Sequence, residues 1–348
     1  MTSAAGAGPR RPPADDALPA LVVTPERQHG VAVYARQVAE AVARRTGRDL
    51  AVGPDALEGD APPARAHLHF TDRLWATSPE AAADRLEELA ARTALTVTLH
   101  DLPQPSDGER NLPRRSACYR RVVEAAAGVV VNSRHEAALL DEHVRDGLGR
   151  DVGVVPLPVD PAPADAERPL PDGSAAVIGF FYPGKGHAEL VDAVAELRVG
   201  GRRLDVVALG RASDGHEGEL AALVAHAGSR GVALEVTGYL DDAALLARSR
   251  RASVPVAAHR HVSASGSIAT WVAAGRRPLV PDTRYSREMA ALRPGTLTLV
   301  DPEALVAALA TAHDDPASTW LAADAVTAPG TADTADAYLR WWSEEVSW

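Results

Sequence analysis

The chain has 348 residues, of which 46% are hydrophobic and 4% aromatic, and a formal net charge of −11. At ~150 residues per domain this length suits two domains with aliphatic cores, and the apolar content excludes global disorder. The acidic balance argues against a nucleic-acid partner, because phosphate binding needs a concentrated basic face.

Residues 1–19 are rich in Ala, Pro, Gly and Arg without an apolar run, so they read as a disordered lead-in rather than a signal peptide. Residues 20–24 (ALVVT) are expected to form a strand. A helix over 31–45 follows, with Val31, Tyr34, Val38 and Val42 on one stripe. Further strands are expected at 65–70, 95–99, 128–132 and 152–155. Helices are expected at 79–92, 117–127 and 134–144, with Ser78 and Ser133 as N-caps. Residues 156–173 then hold six prolines and no helical period, the mark of a semi-rigid linker. The same alternation restarts beyond it. Strands are expected at 175–181, 204–209, 232–237, 252–257, 278–280 and 297–300. Helices are expected at 187–197, 218–227, 241–250, 267–274 and 303–313. The basic run Arg248 to Arg251 reads as the solvated face of one of them. A last helix carries Trp341, Trp342 and Trp348, which must pack on something, with the first domain as the candidate.

The expected organisation is therefore a lead-in at 1–19, a Rossmann-like domain at 20–160, a linker at 161–174, a second Rossmann-like domain at 175–330 and a helix at 331–348. Alternating strands and helices imply mostly parallel sheets wrapped by helices, facing each other across a cleft. Ligands of such sheets sit at the carboxyl ends of the strands, so the residues just after each strand matter most.

Four such places carry chemistry. His29 and Gly30 open a helix, which attracts anions at its N-terminus, although an ordinary turn accounts for them equally well. His100 and Asp101 end an apolar strand, either at a cleft mouth or in a solvated turn. Gly184, Lys185 and Gly186 set a point charge at a helix start, placed for phosphate, without the glycine spacing of a Walker A loop. Ser263, Ser265, Gly266 and Ser267 gather hydroxyls and free N–H groups at another helix start, an anion pocket. His67 and His69 share a strand face, but no third ligand is evident and no metal is expected. The one cysteine, Cys118, cannot form an internal disulfide and has no activating base nearby, which fits a reducing, cytoplasmic setting. No run reaches the ~18 apolar residues of a membrane span, and peripheral membrane contact stays open.

The ordered set of these pieces resembles the retaining GT-B glycosyltransferases of the family-four, group-one type, in a bacterial subset. It comprises the Gly30-Val31 loop with Tyr34, Thr98-Leu99-His100-Asp101, Val131-Asn132-Ser133 and Val155-Pro156-Leu157-Pro158-Val159-Asp160. It continues with Pro183-Gly184-Lys185-Gly186-His187, Thr237-Gly238-Tyr239 and Ala273-Ala274-Gly275-Arg276-Arg277-Pro278-Leu279-Val280. The resemblance implies retaining transfer from a nucleotide-diphosphate sugar, UDP- or GDP-linked, to a hydroxyl or amine of a small-molecule, glycan or natural-product acceptor, with no metal and no other cofactor. It implies that Lys185, Gly266 and Ser267 contact the diphosphate, with Gly184, Ser263 and Ser265 alongside. Gly238 and Tyr239 would border the base, His100 the donor sugar, Gly30 the phosphate and acceptor, and His29 and Asp101 the acceptor side. His100 and Lys185 would be the catalytic pair.

Two departures are plain. The family's paired glutamates, eight positions apart, fall at about Val262 and Thr270, and no Asp or Glu occurs between Asp242 and Asp282. The arginine that partners the lysine is replaced by Phe180 or Phe181. Ser263, Ser265 and Arg260 are the candidates to stand in for the glutamates. The alternative is a non-catalytic binder on the same fold; a nucleotide-sugar epimerase would need carboxylates that the second domain lacks.

Overall fold

A computed structural model describes residues 18–145, 151–162, 168–259 and 261–348. Most of the expected lead-in, linker residues 163–167 and Arg260 lie outside these. In chain order the elements are β1 (Ala20–Val22), α1 (Gly30–Thr46), β2 (Ala51–Val52), α2 (Asp55–Glu58), β3 (Arg65–Phe70), α3 (Asp72–Trp75), α4 (Pro79–Ala90), β4 (Ala94–Leu99), α5 (Gly108–Ala125), β5 (Gly128–Val131), α6 (Arg134–His143) and β6 (Gly153–Val154). They continue with β7 (Ser174–Ile178), α7 (His187–Val199), β8 (Asp205–Leu209), α8 (Glu217–Ser229), β9 (Leu234–Val236), α9 (Asp242–Arg251), β10 (Val254–Val256), α10 (Gly266–Ala273), β11 (Leu279–Pro281), α11 (Arg284–Leu292), β12 (Thr298–Val300), α12 (Leu305–Asp314) and α13 (Thr331–Glu344).

The chain divides into two compact units. The first holds the described residues up to Asn132, Ala137–Pro156 and Thr331–Trp348; the second holds Ser133–Glu136 and Leu157–Gly330. Each unit is built on one six-stranded, all-parallel sheet, in the orders β2-β1-β3-β4-β5-β6 and β12-β11-β10-β7-β8-β9. In the first sheet the strand order reverses between β1 and β3, and in the second between β7 and β10. Those are the points where an open α/β sheet leaves a crevice at its carboxyl edge.

In the first unit Leu68, Phe70, Leu99 and Val131 of the central strands bury against Leu86 of α4 and Tyr119 of α5. The α1 stripe of Tyr34, Val38 and Val42 is buried, and Gly47, at φ 72°, ends the helix with its N–H on the Ala43 carbonyl. Ser78 caps α4 by accepting from the Ala81 amide at 3.2 Å. Helix α13 returns onto this unit, packing on α1, with Tyr338, Trp341 and Trp342 buried.

The second unit carries a core on each face of its sheet. One is aliphatic, around Leu190, Val194 and Leu309. The other holds Trp271, Tyr285 and Met289.

The short elements β2, α2 and α3 were not expected, and three longer ones also differ from expectation. Helix α5 starts at Gly108, nine residues before the expected start at 117, because its polar first half with Pro113 is held by tertiary ion pairs. Arg114 grips Glu80 with two bonds of 2.7 Å, and Arg115 grips three aspartates; these contacts override weak local propensity. Helix α11 was not expected. It is short, and it rests on a Thr283–Ser286 capping box and on buried Tyr285 and Met289. Strand β7 stops at Ile178 rather than 181, since Gly179 adopts φ 105° and turns the chain. Among the described residues no helix is long and apolar enough to cross a membrane.

Candidate functional site

The loops leaving β7 and β10 flank the reversal point of the second sheet. The first runs from Gly179 to Gly186 and delivers Lys185 to the start of α7. A Cβ on Gly186, itself at φ 91°, would fall 2.5 Å from the carbonyl carbon, oxygen and Cβ of Ala258. Only glycine lets the start of α7 press this closely on the end of β10.

Lys185 is the only lysine among the 36 Lys and Arg residues of the chain. Its ammonium folds back over Gly179, 3.5 Å from where a Cβ would lie, and sits 5.5 Å from the Tyr182 ring centre. Burial pushes its pKa down to about 8. Among the described residues no carboxylate lies within ion-pair distance of it.

Two histidines share this corner. His187 opens α7 and is 1% exposed; His259 follows Ala258 and is 4% exposed. Burial, then the Lys185 charge, pushes both to about 3, and His187 adds to the effect on His259. Among the described residues neither ring nitrogen of His187 has a hydrogen-bond partner, nor has Nδ1 of His259. Gly184 is exposed and at φ 87°, with open space where a Cβ would go.

The loop after β10 leads to α10. Ser265 caps this helix, accepting from the Ile268 amide at 3.2 Å, while its own amide donates to the Tyr285 hydroxyl at 2.9 Å. The Ser265 and Ser267 hydroxyls lie 3.1 Å apart. The amides of Gly266 and Ser267, first in α10, have no acceptor among the described residues, as expected of a helix N-terminus. The Ser263 hydroxyl is taken: it donates to the buried Glu136, a second-unit residue, at 2.5 Å. A carboxylate thus reaches this loop from far along the chain, where sequence reading found none.

After β9, Gly238 at φ 72° donates its amide to Gly210, and Tyr239 is 57% exposed. Among the described residues no direct hydrogen bond joins Lys185, the Ser263–Ser267 loop and the Gly238–Tyr239 loop; what relates them is their common position at the carboxyl edge of one sheet.

In the first unit the residues after β1, β3 and β4 gather at the corresponding edge. His29 caps α1, its Nδ1 accepting from the Val31 amide at 3.3 Å, and burial lowers its pKa. Gly30 is exposed, with open space beside its Cα. His100 is 6% exposed and its Nε2 lies 3.0 Å from Nδ1 of His69. Burial holds both imidazoles well below their ordinary pKa, so both are neutral. His67 is committed elsewhere: its two ring nitrogens lie 2.9 Å and 3.0 Å from the Thr96 and Thr98 hydroxyls. Among the described residues no cluster of His, Cys, Asp or Glu is arranged to hold a metal.

Asp101 adopts φ 49°, and its carboxylate accepts from Arg115 at 3.1 Å. Arg115, buried, also binds Asp72 at 3.1 Å and Asp107 at 2.7 Å. Asp101 is thus one member of a four-residue charge network that sequence reading missed. The polar stretch 103–115 holds Asp107 and Arg115, half of that network, and the start of α5. Cys118 is buried, which pushes its thiol up to about 12 and leaves it a poor nucleophile.

No family model matches the chain, and no curated protein matches it. Solved structures do. Sucrose-phosphate synthase from Thermosynechococcus elongatus is 17% identical with a TM-score of 0.62, over 94% of this chain and 93% of that one. The HepE protein of Anabaena, solved with UDP-glucose, is 16% identical with a TM-score of 0.59, over 92% and 94%. An α,α-trehalose-phosphate synthase (UDP-forming) from Burkholderia xenovorans, solved with glucose-6-phosphate, is 12% identical with a TM-score of 0.57, over 80% and 72%. The chain therefore has the two-domain α/β fold of the GT-B class.

Proposed function

We propose that the protein is a retaining glycosyltransferase that moves a sugar from a nucleoside-diphosphate donor to a hydroxyl or amine. The observation that carries this reading is Lys185: the one lysine of the chain, without a carboxylate partner among the described residues, at the reversal point of a Rossmann-ordered sheet. Its charge and the free amides of Gly266 and Ser267 are the groups a departing diphosphate needs, because preorganised donors stabilise charge that develops as the bond breaks. UDP and UDP-glucose in the HepE structures support a nucleotide-sugar donor. In the same reading Gly184, Ser263 and Ser265 line the donor, Gly238 and Tyr239 border the base, and His100 faces the sugar. Gly30, His29 and Asp101 lie toward the acceptor. No further cofactor is needed. The setting is bacterial and cytoplasmic, which a single buried cysteine fits.

Calorimetry with uridine, guanosine, adenosine and thymidine diphosphates tests the donor site. At least one should bind, and Lys185→Met should abolish that binding without unfolding the chain. Blank traces with all four would end the proposal. A second reading, a non-catalytic binder, is favoured by the run without carboxylates from Asp242 to Asp282. Release of sugar from the cognate donor separates the two: the binder shows none.

A further inference from the structure

We infer that His187 and His259 complete the anion site at Lys185, each giving a ring N–H to a pyrophosphate-class oxyanion. The inference rests on the donor reading above and goes beyond it in naming the groups that surround the lysine.

A neutral imidazole always carries one N–H and one bare nitrogen. His187 has neither partnered, so in either tautomer a buried donor lacks an acceptor. His259 has one such nitrogen, Nδ1, which is a donor without an acceptor in the Nδ1–H tautomer. Buried polar groups are nearly always hydrogen-bonded, and a cluster that is not calls for a missing partner. Here three basic groups share one corner: two imidazoles and the ammonium that depresses both. The glycine-rich loop that carries Lys185 contains no acid, and the segment around His259 contains none between Asp242 and Asp282, while Glu136 reaches that loop at Ser263.

The packing is specific. Gly186 sits against the backbone of Ala258, which brings the segment of Lys185 and His187 against the segment of His259. An ammonium near two buried imidazoles with unpartnered nitrogens suits a group with several acceptor oxygens and negative charge. A phosphoanhydride has both, whereas a neutral sugar hydroxyl would leave the ammonium unpaired.

The test is ring-nitrogen NMR of the full chain labelled with 15N-histidine, titrated with inorganic pyrophosphate. His187 and His259 signals should move along one saturation curve. Their assignment comes from His187→Phe and His259→Phe, apolar replacements of similar shape. Each variant should bind pyrophosphate at least tenfold more weakly, with its circular dichroism unchanged. Histidine signals that stay still at saturation sink the inference, and this holds even if a variant fails to fold. If His259→Phe and His187→Phe bind normally while Lys185→Met does not, the inference falls and the donor reading stands. If Lys185→Met also binds normally, or if neither pyrophosphate nor any of the four nucleoside diphosphates binds the unmodified protein, both fall.

Discussion

Nδ1 of His69 stands 3.0 Å from Nε2 of His100, with both rings buried and neutral. Only one of the two nitrogens can carry the hydrogen, so the tautomer of each ring is fixed by the other. If His69 donates, His100 bears its N–H on Nδ1, the nitrogen not turned toward His69. His69 is thus a positioning residue for His100. His69→Asn keeps a donor near the place of Nδ1, whereas His69→Leu leaves Nε2 of His100 without a partner. Losing a buried hydrogen-bond partner costs about 1–3 kcal/mol, or roughly tenfold per 1.4 kcal/mol in kcat/KM. His69→Leu should lower turnover by that order and His69→Asn should restore most of it. Equal activity in the two variants would remove the positioning role.

Lys185 gives a pH signature. Its pKa is lowered, to about 8, so the charged form that holds an anion gives way to the neutral amine as pH rises through that value. Diphosphate affinity should be flat below pH 7 and fall by up to tenfold per unit above 8, less to the extent that the bound anion raises the pKa. Lys185→Arg stays charged throughout and should bind with no such fall. Calorimetry at pH 6.5, 7.5, 8.5 and 9.5 reads both, and a flat profile for the unmodified chain would contradict a titrating lysine in the site.

The fold was largely legible in the chain, and the site only in part. Alternating apolar runs and amphipathic stretches gave both sheets apart from the two-residue edge strand β2, because parallel strands buried on both faces leave short aliphatic blocks that local reading detects. Helix α5 was cut short because its first half depends on Arg114 meeting Glu80 and Arg115 meeting Asp72, 34 and 43 positions earlier, which no local window contains. The loops of Lys185 and Ser263–Ser267 were visible through glycine and serine beside strand ends. His259 lay in the same loop and passed unread, and so did the fact that Lys185 is the only lysine where every other such cation is arginine. That last signal was available: the chain uses arginine 35 times and lysine once, and a lysine is a compact, titratable ammonium where arginine is neither. Glu136 beside Ser263 was out of reach, since only the folded chain brings together residues 127 positions apart.

Acid should destabilise this protein earlier than carboxylate titration alone would. Burial lowers the pKa of His67, His187 and His259 to about 3 and that of His69 and His100 well below the ordinary value. Below about pH 6.5 the unfolded chain takes up protons on these rings and the folded chain does not, so folding stability is lost as pH falls through that window. Each ring contributes up to about 1.4 kcal/mol per pH unit. Thermal denaturation should show the midpoint dropping between pH 7 and 5.5, with a smaller drop in His259→Phe. A midpoint constant down to pH 5 would mean that these rings are hydrated in the native state.

Trp341 ties the last helix to the first sheet through two glycines. A Cβ on Gly153 would lie 2.7 Å from its Nε1, and one on Gly128 would lie 3.0 Å from its Cζ2. The indole is 6% exposed and cannot swing aside without vacating its place on the sheet. Gly153→Ala should therefore overpack the contact, at a cost of about 1–3 kcal/mol in urea denaturation. The contact is testable as a pair: in a Trp341→Leu background, where the indole is gone, the added methyl should cost much less, since residues in contact do not add independently. If the two substitutions add, the cost of the methyl lies in the β6 backbone, and Trp341 does not set the fit of α13 there. Because Gly153 and Trp341 both belong to the first unit, pyrophosphate affinity at the Lys185 corner should be unchanged in the folded Gly153→Ala protein.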